Sequence, residues 1–309
     1  MSETGTGRVE RLDFQATSDP ALQDSADSNH IQLLGYGELY SLWERQQWAV
    51  GDLDFSRDRA DWASFPEEER YMRMSGLSSF FIGEQRVAAE LGPIMRAVPD
   101  EDMRIFLCTQ IADEARHVAF FDRFYQEVGV LEADTLEGRL VETAPHTNAA
   151  FTELFDSILH RRVDRLAVDP GDTEVLVEAI TIYHMVIEGM LALTGQHLII
   201  DYNETMGTLP AFVEGFTNVA RDEHRHVAFG ARFLRDMASR DPRYIEAIQR
   251  TLEEVGPIAD GVLRPKWAET MDVADDEQLP GGLSINDGRA FAAQALERRL
   301  KAIGLGVAA

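Results

Sequence analysis

Apolar side chains return every three or four residues along most of this chain, the spacing of helices that bury one face. The pattern predicts five long helices, over 67–98, 101–130, 148–168, 173–203 and 209–239, and a sixth over 244–271 that closes a bundle. Pro99-Asp100, Asp169-Pro170-Gly171-Asp172 and Asp241-Pro242 punctuate these segments where one helix must stop and the next begin. Alternating β-branched runs between tight turns, the mark of strands, are absent. An apolar pattern over 30–48 leads into the Arg/Asp-rich stretch DFSRDRADW at 54–62. The organisation reads as a disordered polar tail (1–30), one helical domain (31–272), and a C-terminal portion (273–309) with a loop at 275–288 and a short helix near 289–302.

Composition narrows the classes of function. At 309 residues and 45% hydrophobic, the chain can bury a sizeable core. A formal charge of −25 argues against unaided binding to nucleic acid or anionic lipid, which need basic patches. Cys108 is the only cysteine, which excludes an intrachain disulfide and a cysteine-based metal site; it reads as a small buried apolar residue. The start has no basic-then-apolar leader, and no uninterrupted apolar run reaches the ~18 residues that span a bilayer. The longest, at 190–200, carries Gln196 and His197. A cytoplasmic protein with no membrane span is expected.

Two Glu-x-x-His motifs carry the chemical argument: Glu114-Ala-Arg-His117 and Glu223-His-Arg-His226, each within a predicted helix. Positions i and i+3 share a helical face about one turn apart, so each pair can grip one metal ion. Asp113 and Asp222 precede the two motifs and can accept a hydrogen bond from a ligand imidazole. One helix earlier in each half lies a glutamate in an apolar setting, Glu84 in FFIGEQRVAAE and Glu188 in MVIEGMLAL. The separations, thirty residues from Glu84 to Glu114 and thirty-five from Glu188 to Glu223, allow one helix to end and its antiparallel neighbour to return to the same level. A lone Glu-x-x-His is ordinarily a solvated pair. Two copies, each with a partner glutamate in an apolar stretch where an unpaired carboxylate is costly, are the ligand set of dinuclear carboxylate bundles. Oxygen-rich ligation with one histidine per ion suits iron or manganese.

At these residues the chain resembles the small subunit of class I ribonucleotide reductase, and more closely that family's offshoot, the ligand-binding oxidases. The resemblance runs from about Trp48 to Gly230 and rests on DFSRDRADW, GEQRVAAE, DEARH, YHMVIEGMLALTG and DEHRHVAFG. It implies an all-α, ferritin-like bundle. Glu84, Glu114 and His117 would hold one metal and Glu188, Glu223 and His226 the other. Manganese in the first site and iron in the second, or two irons, would activate dioxygen for a two-electron C–H oxidation. The resemblance further implies an ether cross-link between Val87 and Tyr183, a long-chain fatty acid or similar hydrophobic ligand beside the metals, and a homodimer.

Departures from the radical-storing subunits matter equally. The position four residues after the first ligand histidine, a tyrosine there, is Phe121 here, with Tyr125 one turn on as a weak substitute. The last tyrosine is Tyr244 and the chain ends KAIGLGVAA, so long-range radical transfer to a large subunit is not expected. Trp48 is retained and can pair with Asp222 and His117 as an electron path, against the plainer reading of a packed indole. His184, four residues before Glu188, reads as an outer group or pocket wall, a satisfied core histidine, or an extra ligand; His224 reads as structural. Two other functions stay open: a reductase subunit that stores its oxidising equivalent on the metals, and ferritin-like metal storage.

Overall fold

The computed structural model describes residues 22–24, 31–279 and 281–305. Of the expected disordered tail, only Leu22–Asp24 falls within these residues, and it forms strand β1, antiparallel to β2 (Ile31–Leu33) with Leu22 opposite Leu33. Three-residue strands are too short to register as alternation, so the sequence gives no warning of them. Everything else regular among the described residues is helical.

Helix α1 (Tyr36–Arg45) and α2 (Ser56–Ser64) precede the long pair α3 (Glu67–Ala97) and α4 (Glu101–Val128). Then come α5 (Leu136–Thr143), α6 (149–168), α7 (Thr173–Met206) and α8 (Pro210–Arg240). Helices α9 (Pro242–Val262), α10 (Lys266–Thr270) and α11 (Ile285–Ala302) complete the chain. The expected sixth helix ends at Val262, and Pro265 starts α10 separately. Helix α11 begins four residues earlier than the pattern suggests, because Ser284 and Asp287 form a reciprocal capping box.

Local chemistry sets the ends of the central helices. The Asp100 carboxylate accepts from the Asp102 amide at the start of α4, with Glu101 and Asp102 on the positive end of the helix dipole. Gly129, at φ 75°, ends α4, and Gly207, at φ 65°, ends α7; both take the left-handed turn that glycine adopts without strain. Helix α8 is different. Its N-cap is Leu209, at φ 50°, which has no capping side chain. Asp58 of α2 supplies the cap, accepting from the Ala211 amide at 3.1 Å and the Phe212 amide at 2.7 Å, while Asp61 accepts from Leu209 N at 2.9 Å. The DFSRDRADW stretch thus fixes where α8 begins, some 150 residues away.

Helix α7 changes pitch in its middle. Thr181–Ala192 is wound as a π-helix, whose i→i+5 bonds bring residues five apart towards one face. That helix is long and apolar enough to cross a membrane, yet 89% of its most apolar window is buried at the centre of the bundle. A close approach holds α8 against it: a Cβ at Gly230 would run into the Cβ of His184.

Two apolar cores meet along these helices. One contains Val87, Phe106, Tyr183 and Phe229; the other is mostly aromatic, with Phe81, Phe120, Phe121, Phe212 and Phe216. On α4 the first core precedes Glu114 and the second follows His117, while on antiparallel α8 the order reverses around Glu223 and His226. The polar residues singled out in the sequence lie at this junction. Because the α8 cap fixes the register of Glu223 and His226, Asp58→Ala should destabilise the fold by about 2 kcal/mol, read as a lower urea midpoint with an unchanged slope.

Candidate metal centre

Glu84 on α3, Glu114 and His117 on α4, Glu188 on α7, and Glu223 and His226 on α8 converge in one place, all of them buried. Their ligand atoms fall into two groups with members within 4.8 Å of one another: Glu84, Glu114, His117 and Glu223, and Glu114, Glu188, Glu223 and His226. Glu114 and Glu223 belong to both groups. Each therefore stands where a carboxylate can bridge two ions, which the motif spacing alone does not reveal.

The histidines face this cluster through Nδ1. His117 Nδ1 lies 3.2 Å from Glu84, 3.5 Å from Glu114 and 3.4 Å from Glu223. His226 Nδ1 lies 3.5 Å from Glu114, 3.5 Å from Glu188 and 3.6 Å from Glu223. Their Nε2 atoms face aspartates, but crosswise. Asp222, beside Glu223, sits 3.3 Å from His117, and Asp113, beside Glu114, sits 3.2 Å from His226. Each motif thereby orients the histidine of the other, leaving Nδ1 free to meet a metal.

The third residue of each motif completes the lattice. Arg225 donates to Asp113 at 2.9 Å and to Asp222 at 2.6 Å; Arg116 donates to Asp222 at 2.9 Å and also binds Asp113. Two guanidinium groups thus neutralise two aspartates. Among the described residues the four glutamates have no such guanidinium partners, and Oε2 of Glu114, Glu188 and Glu223 and Nδ1 of His226 have no hydrogen-bond partner. Buried atoms left in that state are costly, and two divalent ions would satisfy them and balance four negative charges. The residues fit a dinuclear metal group.

Proton affinities reflect the same crowding. Burial pushes Glu84 and Glu188 well above the usual carboxylate range. Burial also opposes charge on His117 and His226, but the surrounding carboxylates hold both well above the ordinary imidazole value. Glu114 is buried too, which raises it, yet a bond from His117 and the charge of both histidines draw it down to about 2.

The remaining sequence candidates take distinct places. The Trp48 indole donates to Asp222 at 2.8 Å, one step from His117. Tyr183 donates its hydroxyl to Glu114 at 3.0 Å; the π-helix turns it to the same side as Glu188, five residues on. Val87 is buried and lines a cavity of about 400 Å³ that also touches Glu84, Glu188 and Glu223. His184 is in neither ligand group. It lies 3.1 Å from the Gln110 side-chain oxygen, and burial lowers its pKa to about 3. His224 bonds the Ala220 carbonyl. Phe121 is packed among Phe80, Phe81 and Phe216, and the buried Tyr125 hydroxyl has no hydrogen-bond partner. Cys108 corrects an expectation: it is exposed, on the outer stripe of α4 with Ile105 and Ala112, where small size does not force burial.

Gln110 and Trp43 were missed. Gln110 donates to Glu188 at 2.8 Å and to Glu114 at 3.3 Å, so its oxygen must face His184. Its position one helical turn before Glu114 is a usable signal. Trp43 donates to Asp113 at 2.9 Å, and nothing local in the sequence marks it.

Helical bundle and buried carboxylate–histidine cluster together define a dinuclear-metal oxidoreductase of the ferritin-like class. Residues 26–264 match the family model described as ribonucleotide reductase, small chain, and the chain belongs to that family. Among solved structures, it is similar to an R2-like ligand-binding oxidase, a valine-to-isoleucine variant with anaerobically reconstituted Mn/Fe cofactor. The two share 26% identity at a TM-score of 0.76, over 88% of this chain and 94% of that one. A tyrosine-to-phenylalanine variant of an R2-like ligand-binding oxidase gives 26% identity and 0.75, over 87% and 93%. A glycine-to-leucine variant gives 25% and 0.76, over 91% and 96%.

Two outcomes follow from this geometry. Asp113→Asn should weaken the ion at His226, on the opposite motif, by about 10–100-fold, with a smaller effect at His117, in competition titrations with a chelating dye. Protons raised on Glu84, Glu188, His117 and His226 must leave as metal binds, so apparent affinity should fall as pH falls, beginning well above the normal carboxylate range. A weakly buffered Mn(II) titration at about pH 7 should release protons; uptake without release would contradict the raised values.

Proposed function

We propose that the chain is a dioxygen-dependent oxidase that uses a manganese–iron pair, or two irons, for a two-electron C–H oxidation. The observation that carries this reading is the shared cavity: Glu84, Glu188 and Glu223 of the cluster face a space walled by Val87, Phe151, Phe155, Ile187 and Leu191. Glu84, Glu114, His117 and Glu223 would hold the ion taken as manganese, and Glu114, Glu188, Glu223 and His226 the iron. The bound metals supply redox chemistry with dioxygen; the protein supplies position, dryness and proton control.

Apolar walls and a volume of about 400 Å³ suit a hydrophobic small molecule, and we take a long-chain fatty acid as its type. The cavity also reaches the partly exposed Tyr202 and Lys266, which gives such a ligand a way to the surface. A homodimer completes the reading, on the resemblance alone.

Val87 and Tyr183 are the first substrate in this proposal. An ether bond forms between the Tyr183 oxygen and Val87 Cβ, while the O–H and C–H bonds break. Two electrons and two protons pass to dioxygen. Glu114 already accepts the Tyr183 hydroxyl hydrogen and is the nearest base for that proton. Burial and the neighbouring carboxylates raise the Tyr183 pKa well above its ordinary value, which keeps the hydroxyl protonated and donating to Glu114 before any oxidation.

Peptide mass spectrometry after Mn(II) and Fe(II) loading in air tests this directly. The Val87 and Tyr183 peptides should become joined with the loss of two hydrogens, and Tyr183→Phe should abolish the joined species without reducing metal uptake. Separate peptides despite two bound ions and oxygen consumption would favour a reductase subunit that keeps its oxidising equivalent on the metals.

A further inference from the structure

We propose that Trp43, Asp113 and His226 form a second electron route, parallel to Trp48, Asp222 and His117, so that each ion has its own path from the protein surface. The proposal rests on the dinuclear reading above. Its basis is a near-duplicate geometry. Trp43 donates to Asp113 at 2.9 Å and Asp113 lies 3.2 Å from His226; Trp48 donates to Asp222 at 2.8 Å and Asp222 lies 3.3 Å from His117. Both indoles are half-buried and donate their N–H groups inward to the aspartates. The Tyr40 ring, 5.9 Å from Trp43, extends the second path outward.

The routes are joined but not equivalent. Arg116 and Arg225 each bind both aspartates, so neither carboxylate carries an unbalanced charge that would trap a hole. The Arg116 guanidinium also lies over the Trp48 ring, 5.1 Å from its centroid. A cation against the ring face disfavours removing an electron from it. Trp43 leads to the other ion, at His226, which Trp48 reaches only through the shared cluster.

With the metals bound, Trp43 would relay one electron from a one-electron donor in solution towards the site at His226, its Nε1 proton staying shared with Asp113. The donor would be oxidised by one electron, the metal pair would accept that electron, and the ring would end unchanged.

The plainer alternative is that Trp43 only positions Asp113. Two variants separate these roles: Trp43→Phe removes both the N–H donor and the oxidisable ring, whereas Trp43→His keeps a ring N–H but not an easily oxidised ring. Full-length protein carrying manganese and iron, oxidised in air, is mixed anaerobically with reduced methyl viologen. Freeze-quenched spectra then follow the reduction of each ion, and metal content is counted separately.

Both Trp43 variants should hold two ions per chain yet reduce the ion at His226 at least tenfold more slowly, with Trp48→Phe slowing the ion at His117 instead. Wild-type rates in Trp43→Phe, or full recovery in Trp43→His, would overturn the route and leave the dinuclear reading intact. Should Trp43→Phe fail to take up metal, Trp43→His decides alone. Fewer than two ions in the wild-type protein would instead overturn the dinuclear reading on which the route rests.

Discussion

Placing four carboxylates in one dry pocket is the constraint on which the rest of this structure depends. Unpaired, they could not remain ionised there, and raised proton affinities at Glu84 and Glu188 express that cost. The surrounding protein divides the charge into two accounts. Asp113 and Asp222 are neutralised by Arg116 and Arg225, while the glutamates are left for two dications. Had a third arginine reached the glutamates, the cluster would be a buried salt-bridge network with no use for metal. Neutrality of the outer layer thus reserves the inner layer for ions.

Much of this was legible in the sequence because helices turn spacing into geometry. Glu-x-x-His puts two side chains on one face, and a helix-length gap from Glu84 or Glu188 returns the chain to the same level, so the six inner residues could be named. Long periodic segments also set α3, α4 and α8 within a residue or two of their observed ends. Contacts between distant helices were not legible. The crossed pairing of Asp113 with His226 and Asp222 with His117 spans more than a hundred residues in both cases. Nothing in either motif says which histidine its aspartate serves. Cys108 shows the opposite case: residue type favours burial, but helical phase decides, and the phase places it outward beside Ile105.

The aromatic core bears on which relatives this chain resembles in behaviour. Phe121 occupies its position inside a packed group of rings and offers no oxidisable hydroxyl. Tyr125 has one, but it is buried and finds no hydrogen-bond partner among the described residues. A stable tyrosyl radical needs both a ring and a base. Tyr183 has both, at 3.0 Å from Glu114, on the other side of the metal cluster. Of these two tyrosines, only Tyr183 pairs its hydroxyl with a carboxylate of the cluster, and it does so in the core that also holds Val87.

The π-wound middle of α7 has a consequence for comparing this chain with others. An i→i+5 ladder holds more residues per turn than an α-helix of the same height. Between ends fixed by Asp172 and Gly207, such a stretch accommodates extra residues without opening a loop. A relative that lacked it would align only by opening a gap in the middle of a continuous helix, where alignments ordinarily allow none. Constant spacing is then a poor guide to homologous positions on either side of Glu188, and residues must be matched by the face they present.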